Sequence, residues 1–149
     1  MAQVSDDQYR ILLTFRCALR QFLHWSQQQA AAVGLTAQQH QLLLAVRAHP
    51  GGGAPSIGDV AACLGIRHHS AVELVSRCET LGLVVRTGDA HDLRVVRLRL
   101  TERGREVLDE LTATHLAELE RVAATLHISE QFLNQLSEDF IETVSSQPA

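Results

Sequence analysis

Arginine is concentrated in the middle of the chain, where it could bind a polyanion. Residues 65–105 hold eight Arg and five acidic residues, whereas residues 106–149 hold one Arg and nine acidic residues. The net charge of −4 therefore combines a basic central segment with an acidic C-terminal one. Because a guanidinium binds phosphate oxygens through two parallel hydrogen bonds, this distribution indicates a module that faces a polyanion.

Two helices and a hairpin are predicted around these arginines. Ser56 should cap a short helix that runs through Leu64, Gly65 should end it, and a second helix should follow over about 69–81. Strands are predicted over 83–87 and 95–100, with a polar hairpin tip over 88–94. This order is that of a winged helix-turn-helix, in which the second helix can enter a major groove.

Longer helices are predicted on both sides of this module. The first should cover residues 6–33, and its wide apolar face indicates burial against more than one neighbour. Thr36 should cap a second helix, and Thr101 a long one through about Leu126. Ser129 should cap a last helix. The predicted fold class is mainly α with a small β-hairpin wing, in one domain over residues 1–149.

The sequences SIGDVAACLGI, SAVELVSRCETLGLVVR and DAHDLRVVRLRLTERGREVL together resemble the MarR (multiple antibiotic resistance regulator) family of transcription regulators. The resemblance covers roughly residues 35–110. It implies a winged helix-turn-helix over 35–101 and an α-helical dimerisation region over 5–34 and 102–145. It also implies a homodimer on double-stranded DNA that represses nearby genes until a small ligand, a metal or an oxidant releases it. Two-fold symmetry predicts a pseudo-palindromic operator with half-sites about one helical turn apart.

Candidate DNA-contacting residues lie in the second helix of the module and in the hairpin. They are Arg67, His68, His69, Ser70, Glu73, Arg77, Arg86, Asp92, Arg94 and Arg97. The resemblance places Ser70 on the base-reading helix and Arg94 at the wing tip, with Asp92 as its partner. Glu73 departs from the basic residue of many relatives, and its carboxylate repels phosphate. The alternative for Asp92, Arg94 and Arg97 is a solvated hairpin surface.

A second group of residues could line an effector pocket between the dimerisation helices and the DNA module. They are Arg16, Arg20, His24, Trp25 and His40. The resemblance implies a small phenolic or other aromatic ligand. Core packing is the alternative for Trp25, as it is for His115 on the apolar stripe of the long helix. The eight histidines are scattered, so we expect no metal site and no cofactor.

The three cysteines lack CxxC spacing, which indicates reduced thiols. Cys17 lies on the first helix, where peroxide-sensing members of the family carry a reactive cysteine. A redox-sensing regulator is therefore an alternative, although a small core residue is the simpler interpretation of Cys17. Cys63 and Cys78 fall where the helix-turn-helix needs apolar contacts, so both are predicted to be structural.

Other functional classes have less support in the sequence. No apolar run approaches the length of a membrane span, and the N-terminus is polar and acidic, so we expect a cytoplasmic protein without a membrane partner. A phosphate loop, a nucleophile elbow and an HExxH motif are all lacking, so we expect no enzyme. The net charge and Glu73 favour one alternative, a winged-helix adaptor that binds protein and not DNA.

Overall fold

The computed structural model describes residues 4–127 and Glu138. In chain order the elements are α1 (Asp6–Ala32), α2 (Ala37–Arg47), α3 (Ile57–Leu64), α4 (His68–Thr80), β1 (Val84–Gly88), β2 (Val96–Leu100) and α5 (Glu102–Thr125). The predicted mainly α fold with a β-hairpin wing is confirmed. Two predictions lie outside the described residues: the helix that Ser129 should cap, and the part of the dimerisation region over 128–145. Of these residues the structure describes Glu138, which is helical.

Side-chain caps fix where α2 and α3 begin. The Thr36 hydroxyl accepts a hydrogen bond from the Gln39 N–H at 3.2 Å, and the Gln39 side chain accepts one from the Thr36 N–H at 2.9 Å. Ser56 and Asp59 form the same reciprocal pair at α3. Gly65 then ends α3 with a left-handed φ of 63°, a conformation that glycine adopts without steric cost. The caps predicted from sequence are therefore confirmed.

The wing is attached to the start of α3. β1 and β2 pair antiparallel, with Val84 opposite Leu100 and Arg86 opposite Leu98. On the other side of β2, the Leu98 N–H donates to the Pro55 carbonyl oxygen at 2.8 Å, and Ser56 bridges to β2. A two-stranded hairpin is marginally stable alone, so this attachment positions the wing.

The main core lies inside the winged module. It is formed by α2, α3, α4, the hairpin and the first half of α5, with side chains such as Leu43, Val75, Leu98 and Leu108 fully buried. In contrast, α1 buries Ala30 alone among its residues. Apart from Phe22 and Trp25, which are half-buried, its large apolar side chains are exposed, and those along one side are Leu12, Phe15, Leu19 and Leu23. The described part of the monomer therefore leaves the apolar surface of α1 open.

A cluster of rings joins α1 to α2 and α5. The His115 ring centroid lies 4.9 Å from that of Trp25 and 4.7 Å from that of His40. The Leu111 carbonyl oxygen lies 2.7 Å from His115 Nδ1, and Ser26 Oγ lies 2.7 Å from Nε2. Because a carbonyl can only accept, Nδ1 donates to Leu111, and Nε2 shares a hydrogen bond with the Ser26 hydroxyl. Burial, followed by the proximity of His115, lowers the pKa of His40.

The start of α5 packs directly on the turn after α4. A Cβ on Gly104 would overlap the carbonyl oxygen of Leu83. We therefore expect Gly104→Ala to lower the free energy of unfolding by about 1–3 kcal/mol, the usual cost of overpacking. Urea denaturation of both proteins at one concentration measures this difference in the free energy of unfolding.

Gly58→Ala is the matched control, since its Cβ would meet only Ser56 Oγ, at an ordinary 3.6 Å. Within α3 it should leave stability unchanged or raise it by up to about 1 kcal/mol. Equal stability of Gly104→Ala and the wild type would contradict the close packing of α5 on Leu83.

His40 should make folding sensitive to mild acid. Because its pKa is lowered in the folded chain, the unfolded chain binds a proton more readily below about pH 6.5. The free energy of unfolding should thus be constant above pH 6.5. It should fall between pH 6.5 and pH 5, by less than about 1.4 kcal/mol per pH unit. His40→Gln should reduce this slope, whereas His24→Gln, at an exposed position, should not. Identical slopes in all three proteins would show that His40 makes no such contribution.

Candidate nucleic-acid interface

One side of α4 faces solvent and is entirely polar. Its opposite side packs into the core through Ala71, Leu74, Val75 and Cys78. The exposed residues of α4 are His68, His69, Glu73, Ser76, Arg77 and Thr80, and Ser70 is half-buried. The structure therefore brings five of the predicted contact residues to one helix surface.

The N-terminus of α4 differs from those of α1, α2, α3 and α5. Arg67 occupies the N-cap position with extended backbone, but its side chain makes no capping hydrogen bond. The other four helices have a Ser or Thr cap. The first N–H groups of α4 are thus without a side-chain acceptor, and such groups bind phosphate oxygens.

Asp89 organises the tip of the wing. One carboxylate oxygen accepts from the His91 N–H at 2.8 Å and from the Asp92 N–H at 2.9 Å, and the other accepts from Arg97 Nε at 2.7 Å. These hydrogen bonds, the one from His91 first, lower the pKa of Asp89 to about 2. Sequence reasoning did not single out Asp89. Its place at the start of a polar turn was the available signal, because Asp closes such turns through its side chain.

Asp92 and Arg94 pair at the wing tip, as the family resemblance implied. Asp92 Oδ1 accepts from the Arg94 backbone N–H at 3.0 Å and from Arg94 Nε at 3.2 Å. These bonds, the side-chain one first, lower the pKa of Asp92. The Arg94 side chain is 91% exposed, so the paired guanidinium projects into solvent. Its contact with DNA remains a prediction.

Arg97 spans the gap between the wing tip and α3. Besides its bond to Asp89, its guanidinium lies 3.7 Å from Asp59 Oδ2, and Nη1 lies 3.4 Å from the Ala54 carbonyl oxygen. The side chain is 34% exposed. These three partners fix Arg97 as a connection within the module and leave little of it open to DNA.

Arg86 is held in the same way between β1 and α4. It donates to a carboxylate oxygen of Glu79, to Ser76 Oγ at 3.1 Å and to the Val72 carbonyl oxygen at 3.4 Å. Arg77 pairs more loosely, with its Nη2 3.9 Å from Glu73 Oε2 on the exposed side of α4. Arg86 and Arg97 thus connect parts of the module, whereas the other predicted contact residues are exposed or, for Ser70 and Asp92, half-buried.

The five predicted effector-pocket residues do not form one pocket within the described chain. Trp25 and His40 belong to the ring cluster around His115. Arg16 and Arg20 line an open groove along the exposed side of α1. At about 100° per residue, Arg16 and Trp25 lie on opposite sides of a helix. His24 is exposed and contacts Gln28 at 3.2 Å.

The cysteines occupy three different environments. Cys78 is buried, which confirms its structural role and raises its pKa to about 11. Cys63 is exposed, so the prediction of a structural core residue is wrong. The inward side of α3 is formed by Ile57, Val60 and Ala61, and Cys63 projects beside it. Cys17 is half-buried on α1, and its redox role remains a prediction.

Metal binding and membrane insertion can be assessed for residues 4–127 and Glu138. Within them, no three or more His, Cys, Asp or Glu side chains are grouped so that they could hold a metal ion. None of the helices in the same part of the chain is long and apolar enough to cross a membrane.

Several solved structures have the same fold as this chain. AbsC, a MarR family transcriptional regulator from Streptomyces coelicolor, is 21% identical and has a TM-score of 0.71, with 99% of this chain and 100% of AbsC covered. A MarR family protein from Bacillus stearothermophilus is 21% identical, with a TM-score of 0.75 and coverages of 93% and 99%. The Staphylococcus aureus MepR–DNA complex is 21% identical, with a TM-score of 0.64 and coverages of 97% and 100%.

Sequence comparison identifies the central segment. No curated protein matches the chain. The model of the MarR family matches residues 33–94, which hold α2, both helices of the helix-turn-helix, β1 and the wing tip. Residues 33–94 are therefore similar to the MarR family, and α1 and α5 flank this segment in a fold that the chain shares with solved MarR-family structures.

Proposed function

We propose that this chain is a homodimeric DNA-binding regulator that represses transcription until a small effector releases it. One observation carries the DNA-binding part: all the exposed residues of α4 are polar, and α4 belongs to the same module as a wing tip from which Arg94 projects. A helix of this kind fits the width of a major groove. The MepR–DNA complex has the same fold, which supports the proposal.

Each part of the module has a distinct task in this proposal. α4 enters the major groove, and its uncapped first turn meets a backbone phosphate. Arg94 reaches the minor groove or the phosphates beside it, in an orientation that Asp92 fixes. Arg86 and Arg97 hold the wing at the correct angle to α4 and make no base contact themselves.

We place the effector beside the ring cluster, in the open groove between α1 and α5 that Phe22, Trp25 and Val122 line. A flat aromatic ligand could stack there against Trp25. Such a ligand would change the packing of the DNA modules on the dimerisation helices. By linkage, a ligand that weakens DNA binding must itself bind more weakly when DNA is present.

One observation favours the adaptor alternative. Arg77, Arg86, Arg94 and Arg97 each have a carboxylate oxygen within 4 Å. This pairing reduces the positive charge that the module offers to a polyanion. An adaptor would bind a protein partner through the polar surface of α4 and would not bind duplex DNA.

The exposed side of α1 should form the dimer interface. Leu12, Phe15, Leu19 and Leu23 are apolar and uncovered, and homodimer interfaces are large and hydrophobic. We expect Leu19→Glu to convert the dimer into a monomer at micromolar concentration, as measured by light scattering. Leu93→Glu is the matched control at the wing, 96% exposed, and should remain dimeric. A folded wild-type monomer at this concentration would contradict the proposal.

The wing-tip pair tests DNA binding most sharply. Duplexes selected from a random pool supply the operator, and fluorescence anisotropy at one salt concentration gives the Kd. Arg94→Ala should weaken binding by about 1–3 kcal/mol, or roughly 5- to 150-fold. Asp92→Ala removes a negative charge, yet it should also lose part of this binding energy. The Arg94 guanidinium, which Asp92 no longer holds, loses more entropy on binding. The double variant should lose less than the sum.

Arg121→Ala serves as the control for charge, since it removes one arginine from α5 outside the winged module. It should change the Kd far less than Arg94→Ala. Tighter binding by Asp92→Ala would show that Asp92 only repels DNA. If no duplex is enriched even at low salt, DNA binding is wrong and the adaptor alternative takes its place.

A further inference from the structure

A groove of about 310 Å³ lies between α2 and α3, apart from both sites described above. Its walls are mainly apolar and include Leu44, Ala48, Val60 and Leu64. Leu44 is 44% exposed, so the groove presents a large apolar side chain to solvent. This volume and this lining lie at the lower end of the range for sites that bind small molecules.

The groove has one acidic group. Among the described residues that line it, Asp59 is the one acidic side chain, and none is an arginine. Asp59 Oδ2 accepts from the Ser56 N–H at 2.8 Å, whereas Oδ1 accepts a hydrogen bond from no described residue. His49 lies beside it, with Nε2 3.9 Å from Oδ2. A carboxylate with an unused oxygen at the edge of an apolar groove favours a cation with an apolar body.

We propose that this groove binds a small apolar molecule that carries one ammonium group. The apolar body replaces water against Leu44 and Leu64, and the ammonium donates to Asp59 Oδ1. A neutral analogue keeps the first interaction and loses the second. An anionic analogue is repelled by Asp59. The ligand class is therefore opposite in charge to the aromatic acids that would suit arginine side chains.

Occupation of the groove would act on the wing through Arg97. Asp59 Oδ2 lies 3.7 Å from Arg97 Nη1, and Arg97 also holds Asp89 at the wing tip. An ammonium on Oδ1 offsets the negative charge of Asp59 and repels the Arg97 guanidinium beside Oδ2, which weakens the attachment of the wing to α3. This second step rests on the proposed function, because it matters only if the wing contacts DNA. Binding in the groove does not depend on it.

The binding step can be tested with three matched probes on the full chain. Phenethylamine, phenethyl alcohol and phenylacetate share the aromatic body and differ in charge. NMR titration of the ¹⁵N-labelled protein locates each probe and gives its Kd. Phenethylamine should shift α2 and α3 resonances and bind about tenfold more tightly than the alcohol, because its hydrogen bond is charge-assisted. Phenylacetate should not bind in the groove.

Two variants separate the contribution of the Asp59 charge to binding from that of the apolar walls. Asp59→Asn keeps an oxygen that can accept from the Ser56 N–H, so α3 stays capped, but it should abolish the preference for the amine. Leu44→Ser should weaken the amine and the alcohol alike. Asp109→Asn removes the same charge from an exposed position on α5 and should leave both affinities unchanged.

Three results would overturn the site: equal affinity of amine and alcohol for the wild type, shifts centred on α1, or an unchanged preference in Asp59→Asn. For the second step, phenethylamine should raise the DNA Kd of the wild type and not that of Asp59→Asn. An unchanged DNA Kd despite amine binding would overturn the coupling to the wing. If the wild type binds no DNA at all, the proposed function fails. The NMR titration then still shows whether the groove binds the amine.

Discussion

The guanidinium of Arg97 connects the wing to the helix-turn-helix, and the geometry of the candidate interface depends on that connection. The hairpin has two short strands, so it needs support from outside its own hydrogen bonds. Arg97 adds to the Leu98–Pro55 hydrogen bond by binding Asp89 in the turn and by approaching Asp59 at the start of α3. All three side chains are partly shielded from solvent. The wing and α4 can therefore meet one ligand as a unit.

A second constraint comes from α1, which the described monomer cannot bury. Its exposed side is apolar, while its other side holds Trp25 in the ring cluster with α2 and α5. One helix thus contacts both the winged module and the surface proposed for the partner subunit. A change of packing at His40 or His115 would be passed to the proposed dimer interface through one continuous helix.

The pairing of arginines with carboxylates shapes what kind of binding the module can achieve. Free arginines would give strong attraction to any polyanion, with a steep dependence on salt. In this chain Asp92 orients the Arg94 side chain, and Glu73 offsets the charge of Arg77. The long-range attraction of the module to a polyanion is therefore reduced, while the direction of Arg94 is fixed. The same property leaves a protein partner as the alternative to DNA.

The sequence alone determined the order of the described elements and placed most of their limits to within one residue, because caps and turns depend on residues only a few positions apart. Thr36 and Ser56 set helix starts that could be predicted in this way. The helical period also implied that Arg16 and Trp25 point apart, although the sequence interpretation grouped them. Only the tertiary structure decided that Arg97 reaches Asp59, and that Cys63 lines a groove between two helices. Those contacts join segments far apart in the chain, so they depend on how the elements pack rather than on local spacing.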